Sequence, residues 1–173
     1  MILIWLPTVV NYKDYIGAIQ DFPIKGITYR DIQPLLANET VFRNAIKDMG
    51  DLIDKKPEYW IALESRGFLF ASALSMIYGG WIRLIRKKGK LGNSQLVRVD
   101  YGLEYGKDSF EMANFPEKKG TKVVIVDDIY ATGGTMQAAE TLCKKVGYEV
   151  TDQLCLIDIG IVEQHEVKCL INY

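Results

Sequence analysis

Two patterns of hydrophobic and polar residues alternate along this chain. In the first, apolar residues recur three and four positions apart, as at Val41, Ala45, Ile46 and Met49, and this spacing predicts a helix with one buried face. With the turn residues that flank it, the pattern predicts helices over residues 12–20, 40–55, 66–78 and 134–146. The second pattern, short runs of β-branched and aromatic residues, predicts strands over residues 60–63, 81–85, 96–99, 123–126 and 154–159.

The order of these elements predicts the fold class. Strands alternate with helices, which favours an α/β fold with a mostly parallel central sheet flanked by helices. Residues 123–126 are apolar at every position, as in a parallel strand that is covered on both faces. Residues 21–26 interrupt the first helical pattern with turn residues and indicate where an N-terminal appendage joins the core.

Composition narrows the class of protein. The 173 residues are 49% hydrophobic and 25% charged, which is typical of one globular domain. Lys and Arg total 21 while Asp and Glu total 22, so the formal net charge is −1, and neither a nucleic acid nor a membrane is a predicted partner. The three cysteines lack zinc-site spacing and are predicted to be reduced thiols of a cytoplasmic protein.

Charge is distributed unevenly along the chain. Residues 65–99 contain seven basic residues and no acidic residue, whereas residues 100–173 contain seven basic and thirteen acidic residues. This layout suits a polyanionic ligand that is bound together with a divalent cation. The single histidine, His165, has no partner at the spacing of a metal or nucleophile motif and is expected at the surface.

The strongest chemical signal is the window VVIVDDIYATGGT at residues 123–135. An apolar strand is followed by Asp127 and Asp128, by a loop with two glycines, and by a helix that begins near Thr135. The first N–H groups of a helix are unpaired, and glycines let the backbone approach a phosphate closely. The carboxylates would repel phosphate but can accept hydrogen bonds from sugar hydroxyls. The window therefore predicts a ribose 5-phosphate site, with a plain capped helix as the alternative.

This window resembles the phosphoribosyl pyrophosphate (PRPP) signature of the type I phosphoribosyltransferases. Further segments resemble the adenine-specific family of these enzymes: DFPIKGITYRDI at 21–32, ESRGFLF at 64–70, LIRKKGKL at 84–91 and LEYG at 103–106. The last 27 residues match only loosely. The resemblance implies the type I phosphoribosyltransferase fold, with residues 1–35 as a small N-terminal hood that binds the base and residues 36–173 as the PRPP-binding α/β core.

The resemblance also implies which residues contact PRPP. They are Ser65, Arg66, Arg86, Lys87, Lys90, Asp127, Asp128, Ala131, Thr132, Gly133, Gly134 and Thr135. The chemistry of these residues agrees in part, because an arginine at a strand-to-helix turn and a run of cations can neutralise a leaving pyrophosphate. Taken alone, each feature has a simpler interpretation. The arginine could pair with a nearby acidic side chain, and the run of cations could be a solvated charged surface. A non-proline cis peptide bond is expected between Ser65 and Arg66.

For the base and the chemical step, the resemblance implies two further groups of residues. Adenine contacts are implied for Ile27, Thr28, Tyr29, Arg30 and Ile129, and catalytic roles for Glu104, Arg66 and Tyr105. Glu104 would manage the proton on the purine ring nitrogen. Mg²⁺ would bind through PRPP with no direct protein ligand, and through water to Asp127.

The implied activity is transfer of the 5-phosphoribosyl group from PRPP to adenine, giving AMP and pyrophosphate, by a cytoplasmic homodimer. Three alternatives stay open at this point. A phosphoribosyltransferase for another purine or for orotate would share the PRPP site and differ near residues 28–30. A non-catalytic transcriptional regulator can also bind PRPP on this fold. A structural protein would leave the Asp-Asp and Gly-Gly arrangement unexplained.

Overall fold

The computed structural model describes residues 10–92, 95–103, 106–115 and 118–173. The α-helices are α1 (Gln33–Leu36), α2 (Glu39–Asp51), α3 (Gly67–Tyr78) and α4 (Gly134–Lys145). The strands are β1 (Gly17–Ile19), β2 (Tyr29–Asp31), β3 (Tyr59–Leu63), β4 (Trp81–Lys87), β5 (Leu96–Leu103), β6 (Gly106–Ala113), β7 (Lys122–Tyr130), β8 (Glu149–Asp158) and β9 (Lys168–Asn172). None of the helices in these residues is long and apolar enough to cross a membrane.

The chain divides into two compact units, one up to Ala45 and one from Ile46 to Tyr173. In the first unit β1 and β2 pair in an antiparallel sheet, with Gly17 opposite Asp31. The helix predicted over residues 12–20 is wrong: a 3₁₀ turn at Tyr12–Tyr15 leads directly into β1. The base-binding role predicted for residues 1–35, and the boundary at residue 35, stay predictions.

The second unit is built on a seven-stranded sheet in the order β5-β6-β4-β3-β7-β8-β9. Strands β4, β3, β7, β8 and β9 run parallel to one another, while β6 runs antiparallel to both β4 and β5. The prediction of a mostly parallel α/β sheet is therefore confirmed. Strands β6 and β9 were missing from the sequence-based prediction, which also ended β5 early and began β8 late.

Both faces of the sheet centre are covered, which explains the apolar run in β7. Val123 and Ile125 belong to the buried cluster that includes Met136 and Leu142 of α4. The intervening Val124 points to the opposite face because side chains alternate along a strand, and α3 packs against β3 and β7 there. All four residues from 123 to 126 are fully buried. The sheet is thus a rigid support for the loops at the strand ends.

The three cysteines are free thiols, as predicted. Cys143 and Cys155 are buried, and Cys169 is partly exposed. Burial raises the pKa of the Cys143 thiol to about 12, so this thiol is protonated and unreactive at neutral pH.

Candidate functional site

The carboxyl ends of β4, β3 and β7 meet at one edge of the sheet. These strands are adjacent and parallel, with Leu63 opposite Ile85 and Ala62 opposite Val126. Three connections therefore emerge side by side: the turn at residues 64–66, the loop at residues 88–91 and the loop at residues 131–133. Ligands of parallel α/β sheets bind at this edge.

The connection from β7 to α4 has the geometry of an anion-binding loop. Its N-cap residue, Gly133, has φ of 83°, which a residue with a side chain adopts only with strain. Because this cap residue is a glycine, it has no side chain that could accept hydrogen bonds from the first N–H groups of α4. Thr132 is exposed, and Gly134 and Thr135 are partly exposed. The loop therefore presents backbone N–H groups and threonine hydroxyls together.

Asp127 and Asp128 lie inside the last part of β7, not after the strand as the sequence suggested, because β7 continues to Tyr130. Both are buried, and the backbone N–H of Asp128 donates a 2.9 Å hydrogen bond to Asp127 Oδ1. Burial raises the pKa of Asp127 well above its ordinary value, and the charge of Asp128 raises it further. Burial also raises the pKa of Asp128, an effect that Arg66 opposes. A proton or a partner with hydroxyl donors is favoured at this pair.

Arg66 reaches Asp128 from the adjacent turn, as its Nε lies 2.8 Å from Asp128 Oδ2. Arg66 is the N-cap residue of α3, and the next residue, Gly67, allows this approach. A Cβ on Gly67 would lie 2.6 Å from the carbonyl oxygen of Val126 and 3.1 Å from the Cα of Asp127. Only glycine therefore lets the start of α3 rest against the backbone of β7.

The turn before Arg66 contains a non-proline cis peptide bond, located between Glu64 and Ser65. The expected position, Ser65–Arg66, is wrong by one bond: β3 ends at Leu63, and the chain turns at the residue that follows. Ser65 is exposed at this turn.

Glu64 connects this turn to the basic loop after β4. Its carboxylate accepts bonds from Arg86 Nε and Nη2 at 3.3 and 3.2 Å, and from the backbone N–H of Lys87 at 2.7 Å. Burial opposes ionisation of Glu64, but the bonds from Arg86 and Lys87 outweigh it and lower the pKa of Glu64. Arg86 also donates to the carbonyl oxygen of Lys90 at 3.2 Å, so it holds both ends of the loop.

A second carboxylate, Glu111 of β6, anchors the middle of the same loop. Glu111 is fully buried, and its Oε2 accepts a 3.0 Å hydrogen bond from the backbone N–H of Gly89. Its Oε1 lies 2.7 Å from Arg98 Nε. Since Lys87, Lys88 and Lys90 are exposed, the two carboxylates hold a loop whose cations point outward.

The segment predicted to bind the base lies in the first unit. Ile27, Thr28, Tyr29 and Arg30 are all partly exposed. The hydroxyl of Thr28 donates to Gln20 Oε1 at 2.8 Å, and the Tyr29 ring packs edge-on against Phe22 at 5.3 Å. Ile129 of the second unit is also partly exposed, in β7. The adenine contacts of these residues stay a prediction.

The structure brings together Arg66, Asp128, Arg86 and the loops that carry the other predicted PRPP contacts. Glu104 and Tyr105, which were predicted to be catalytic, lie outside the described residues.

Sequence reasoning missed four residues around this edge: Glu64, Glu111, Tyr130 and His165. Glu64 could have been found, because a carboxylate directly after a parallel strand carries the same signal as the Asp pair. Glu111 gave none, since its strand was not identified. His165 was expected at the surface but is largely buried: its Nε2 lies 3.0 Å from Asp158 Oδ2, and its ring packs on Tyr130. The connection between β8 and β9 directs this side chain toward the protein interior. A single histidine in a polar stretch of sequence gives no signal for that orientation.

Comparison with known proteins agrees with this geometry. The profile of the phosphoribosyl transferase domain matches residues 31–171. A protein of Hydrogenovibrio crunogenus named adenine phosphoribosyltransferase is 45% identical over 149 residues, covering 84% of this chain and 83% of its own length.

Two solved structures share the fold closely. Adenine phosphoribosyltransferase of Thermoanaerobacter pseudethanolicus has a TM-score of 0.87 at 34% identity, with 93% of this chain and 97% of that chain covered. The Saccharomyces cerevisiae enzyme, solved with adenine and an imino-altritol bisphosphate, has a TM-score of 0.81 at 29% identity, with 91% and 93% covered. The architecture described above is thus the type I phosphoribosyltransferase fold.

Proposed function

We propose, from the premise that this chain belongs to the phosphoribosyl transferase family, that it is an adenine phosphoribosyltransferase of purine salvage. It transfers the 5-phosphoribosyl group of PRPP to adenine and releases AMP and pyrophosphate. The observation that carries the proposal is the single sheet edge at which the Asp127–Asp128 pair, the glycine loop and Arg66 meet. The choice of adenine is supported by the names of the relatives and by the adenine in the yeast structure.

The glycine loop is the proposed site of the 5-phosphate. The residues assigned to it are Ala131, Thr132, Gly133, Gly134 and Thr135. Their backbone N–H groups at the start of α4 favour a dianion through the helix dipole. Asp127 and Asp128 would accept hydrogen bonds from the ribose hydroxyls, which replaces the water that burial removes from these carboxylates.

The pyrophosphate would lie between the turn before α3 and the basic loop. Ser65 and Arg66 belong to the turn, and Arg86, Lys87 and Lys90 to the loop. Negative charge develops on the pyrophosphate as its bond to the sugar breaks, so fixed cations there stabilise the transition state more than the bound substrate. Arg86 acts in part through Glu64, which fixes its guanidinium.

Glu104 and Tyr105 are assigned to the chemical step on the basis of the family resemblance. Glu104 would hold or remove the proton of the purine ring nitrogen as the new bond to the sugar forms, a role typically worth about 10²–10⁴-fold in rate. Adenine would be contacted by Ile27, Thr28, Tyr29, Arg30 and Ile129, with Tyr29 stacking on the ring. A backbone carbonyl near residues 28–30 would accept from the 6-amino group and disfavour a 6-oxo purine.

Mg²⁺ fits this site as a companion of PRPP. No cluster of three or more metal-ligating side chains exists among the described residues, so most ligands would be PRPP oxygens and water. Asp127 and Asp128 are the carboxylates available for a water-mediated contact. When bound, the ion would neutralise charge on the pyrophosphate.

A second copy of the chain is the proposed partner. Helix α3 and the start of β4 expose large apolar side chains, including Leu69, Met76, Ile77 and Trp81, the second of them 86% exposed. Such residues favour burial in a homodimer. Cytoplasmic localisation is proposed because the thiols are free.

The activity is tested by offering adenine, hypoxanthine, guanine, xanthine and orotate separately to the purified protein with PRPP and Mg²⁺. Formation of nucleotide and pyrophosphate is followed by chromatography. AMP should form and the other bases should react at least about 10²-fold more slowly. Turnover only with a 6-oxo base would contradict the adenine assignment, and PRPP binding without turnover of any base would contradict catalysis. Sedimentation of the same sample tests the dimer.

A further inference from the structure

His165 lies directly behind the glycine loop, although it comes from the connection between β8 and β9. Its imidazole packs on the ring of Tyr130, with 4.3 Å between the ring centroids and 48° between the ring planes. Tyr130 is the last residue of β7 and is followed at once by the loop. The histidine side chain is only 14% exposed.

Asp158 orients this imidazole. It is the last residue of β8, is buried, and its Oδ2 lies 3.0 Å from His165 Nε2. Its Oδ1 accepts a 2.8 Å hydrogen bond from the backbone N–H of Gly160, which fixes the carboxylate. Because a carboxylate only accepts, the proton of this contact resides on His165 Nε2. The ring is therefore fixed on one edge by Asp158 and on one face by Tyr130.

Tyr130 contacts the glycine loop at Gly133, so fixing the Tyr130 ring also restricts the loop backbone there. A Cβ on Gly133 would lie 2.8 Å from the Tyr130 hydroxyl oxygen and 3.3 Å from the ring carbon that bears it. The tyrosine thus packs against the backbone at the residue that caps α4 and has φ of 83°. On the side of His165 the tyrosine borders a cavity of about 350 Å³, which Thr132 and Gly133 also line. Without the imidazole, Tyr130 would face a larger open space.

We infer that His165 is a positioning residue for the glycine loop at residues 131–133. It holds Tyr130 against Gly133 and so fixes the direction of the N–H groups at the start of α4, without contacting substrate itself. The inference rests on the proposed function, since it assumes that this loop binds the 5-phosphate. It also gives the C-terminal segment, which resembles the family only loosely, a role in the site.

A positioning role of His165 predicts a selective loss of affinity, whereas a general packing role would affect all ligands alike. Misplacing a binding group by about 1 Å can cost up to about 10²-fold. Loss of the imidazole should therefore weaken ligands with a 5-phosphate about tenfold, while pyrophosphate, which is assigned to Arg66 and the basic loop, should bind as before. The Michaelis constant for PRPP should rise more than kcat falls.

The test compares His165→Ala, His165→Phe and Glu163→Gln with the unmodified protein. Phe keeps an aromatic ring on Tyr130 but loses the bond to Asp158, and the exposed Glu163 provides a control in the same connection. Calorimetry measures the dissociation constants of AMP and of pyrophosphate with Mg²⁺. Amide hydrogen exchange is followed in a peptide that covers residues 131–137.

The expected order of AMP affinity is unmodified and Glu163→Gln first, His165→Phe next and His165→Ala last, with faster exchange confined to the loop peptide. Unchanged AMP affinity in both His165 variants would overturn the inference, and so would equal weakening of AMP and pyrophosphate. If Ala does not fold, the Phe variant decides by the same criteria. An unmodified protein that binds no AMP would overturn the proposed function itself.

Discussion

Arg66 and Asp128 form an ion pair across two strand-to-helix connections, with 2.8 Å between Nε and Oδ2. Asp128 is buried, so its charge depends on this partner. Arg66→Ala should therefore lower the free energy of unfolding by about 2 kcal/mol, and should also reduce kcat/KM for PRPP by about 10²-fold or more. Urea denaturation and steady-state kinetics measure the two effects.

The double variant Arg66→Ala with Asp128→Asn separates these roles. Removing the uncompensated charge should restore most of the stability but none of the activity, since both side chains are assigned to PRPP. Recovery of activity in the double variant would contradict the proposed contacts and leave only a structural ion pair.

Asp127 should make stability depend on pH in an unusual direction. Burial raises the pKa of Asp127 above its ordinary value near 3.8, so folding favours the protonated form. Asp127 therefore adds most to the free energy of unfolding below pH 3.8, and this contribution is lost as the pH rises through the raised pKa that Asp127 has in the folded protein. Asp127→Asn should therefore raise Tm by a few degrees at neutral pH, with a gain that disappears on acidification, while kcat/KM for PRPP falls.

Thermal melts between pH 3 and 8 measure this effect, and Asp54→Asn serves as the control because Asp54 is exposed. A gain in Tm that is the same at every pH would point to a simple effect of the amide and contradict the electrostatic explanation.

Glu111 should fix the position of the basic loop, because its buried carboxylate accepts a hydrogen bond from the backbone of Gly89. Glu111→Ala removes the acceptor for the backbone N–H of Gly89 and leaves Arg98 without its carboxylate. The Michaelis constant for PRPP should rise about tenfold, whereas that for adenine should stay within about twofold. Glu111→Gln keeps an acceptor for Gly89 and should show an intermediate effect. The exposed Glu149→Gln should match the unmodified protein, and equal Michaelis constants in all four proteins would remove Glu111 from the site.

Glu104 is expected to act in the chemical step alone. Glu104→Gln and Glu104→Ala should each lower kcat by about 10²–10⁴-fold, because neither side chain can exchange the purine proton. The dissociation constant of PRPP, measured by calorimetry, should change by less than about threefold. Tyr105→Phe tests whether the neighbouring hydroxyl is needed. Full turnover in Glu104→Gln would exclude proton transfer by this residue.

The parts of the fold that the sequence predicts well are those with local signals. The apolar run of β7, its glycine loop and α4 lie within one window, so periodicity and turn residues suffice. Strand β6 was missed because Lys107, Asp108 and Ser109 break the apolar pattern of an antiparallel edge hairpin. Glutamate is a residue type usually found at the surface, so the sequence gives no sign that Glu111 of this strand is buried.

The N-terminal helix was predicted wrongly for a related reason. Tyr12 and Ile16 are buried at helical spacing, yet Gly17 begins a strand whose partner, β2, lies beyond the local window. A Cβ on Gly17 would lie 3.0 Å from the Cβ of Asp31, so close pairing with β2 decides the conformation.

In the candidate site, residue types were predictable and partners were not. Asp127, Asp128 and Arg66 are recognisable from their place at strand ends, but the 2.8 Å contact between Arg66 and Asp128 follows from strand order. The same holds for His165, whose partner Tyr130 is separated from it by the whole of α4 and β8. Contacts set by sheet register cannot be read from local sequence.

The position of β3 between β4 and β7 governs the order in which this chain can fold. Tyr59 of β3 pairs with Trp81, which is synthesised soon after it, and with Val123, which is synthesised much later. Until β7 emerges, the apolar β3 has one unpaired edge, and parallel pairing over such a separation is slow. Nascent chains that stall before β7 are therefore expected to aggregate through this edge. The strand that leads into the glycine loop also covers the second edge of β3, so a chain whose β3 is protected from aggregation has also formed the strand from which that loop begins.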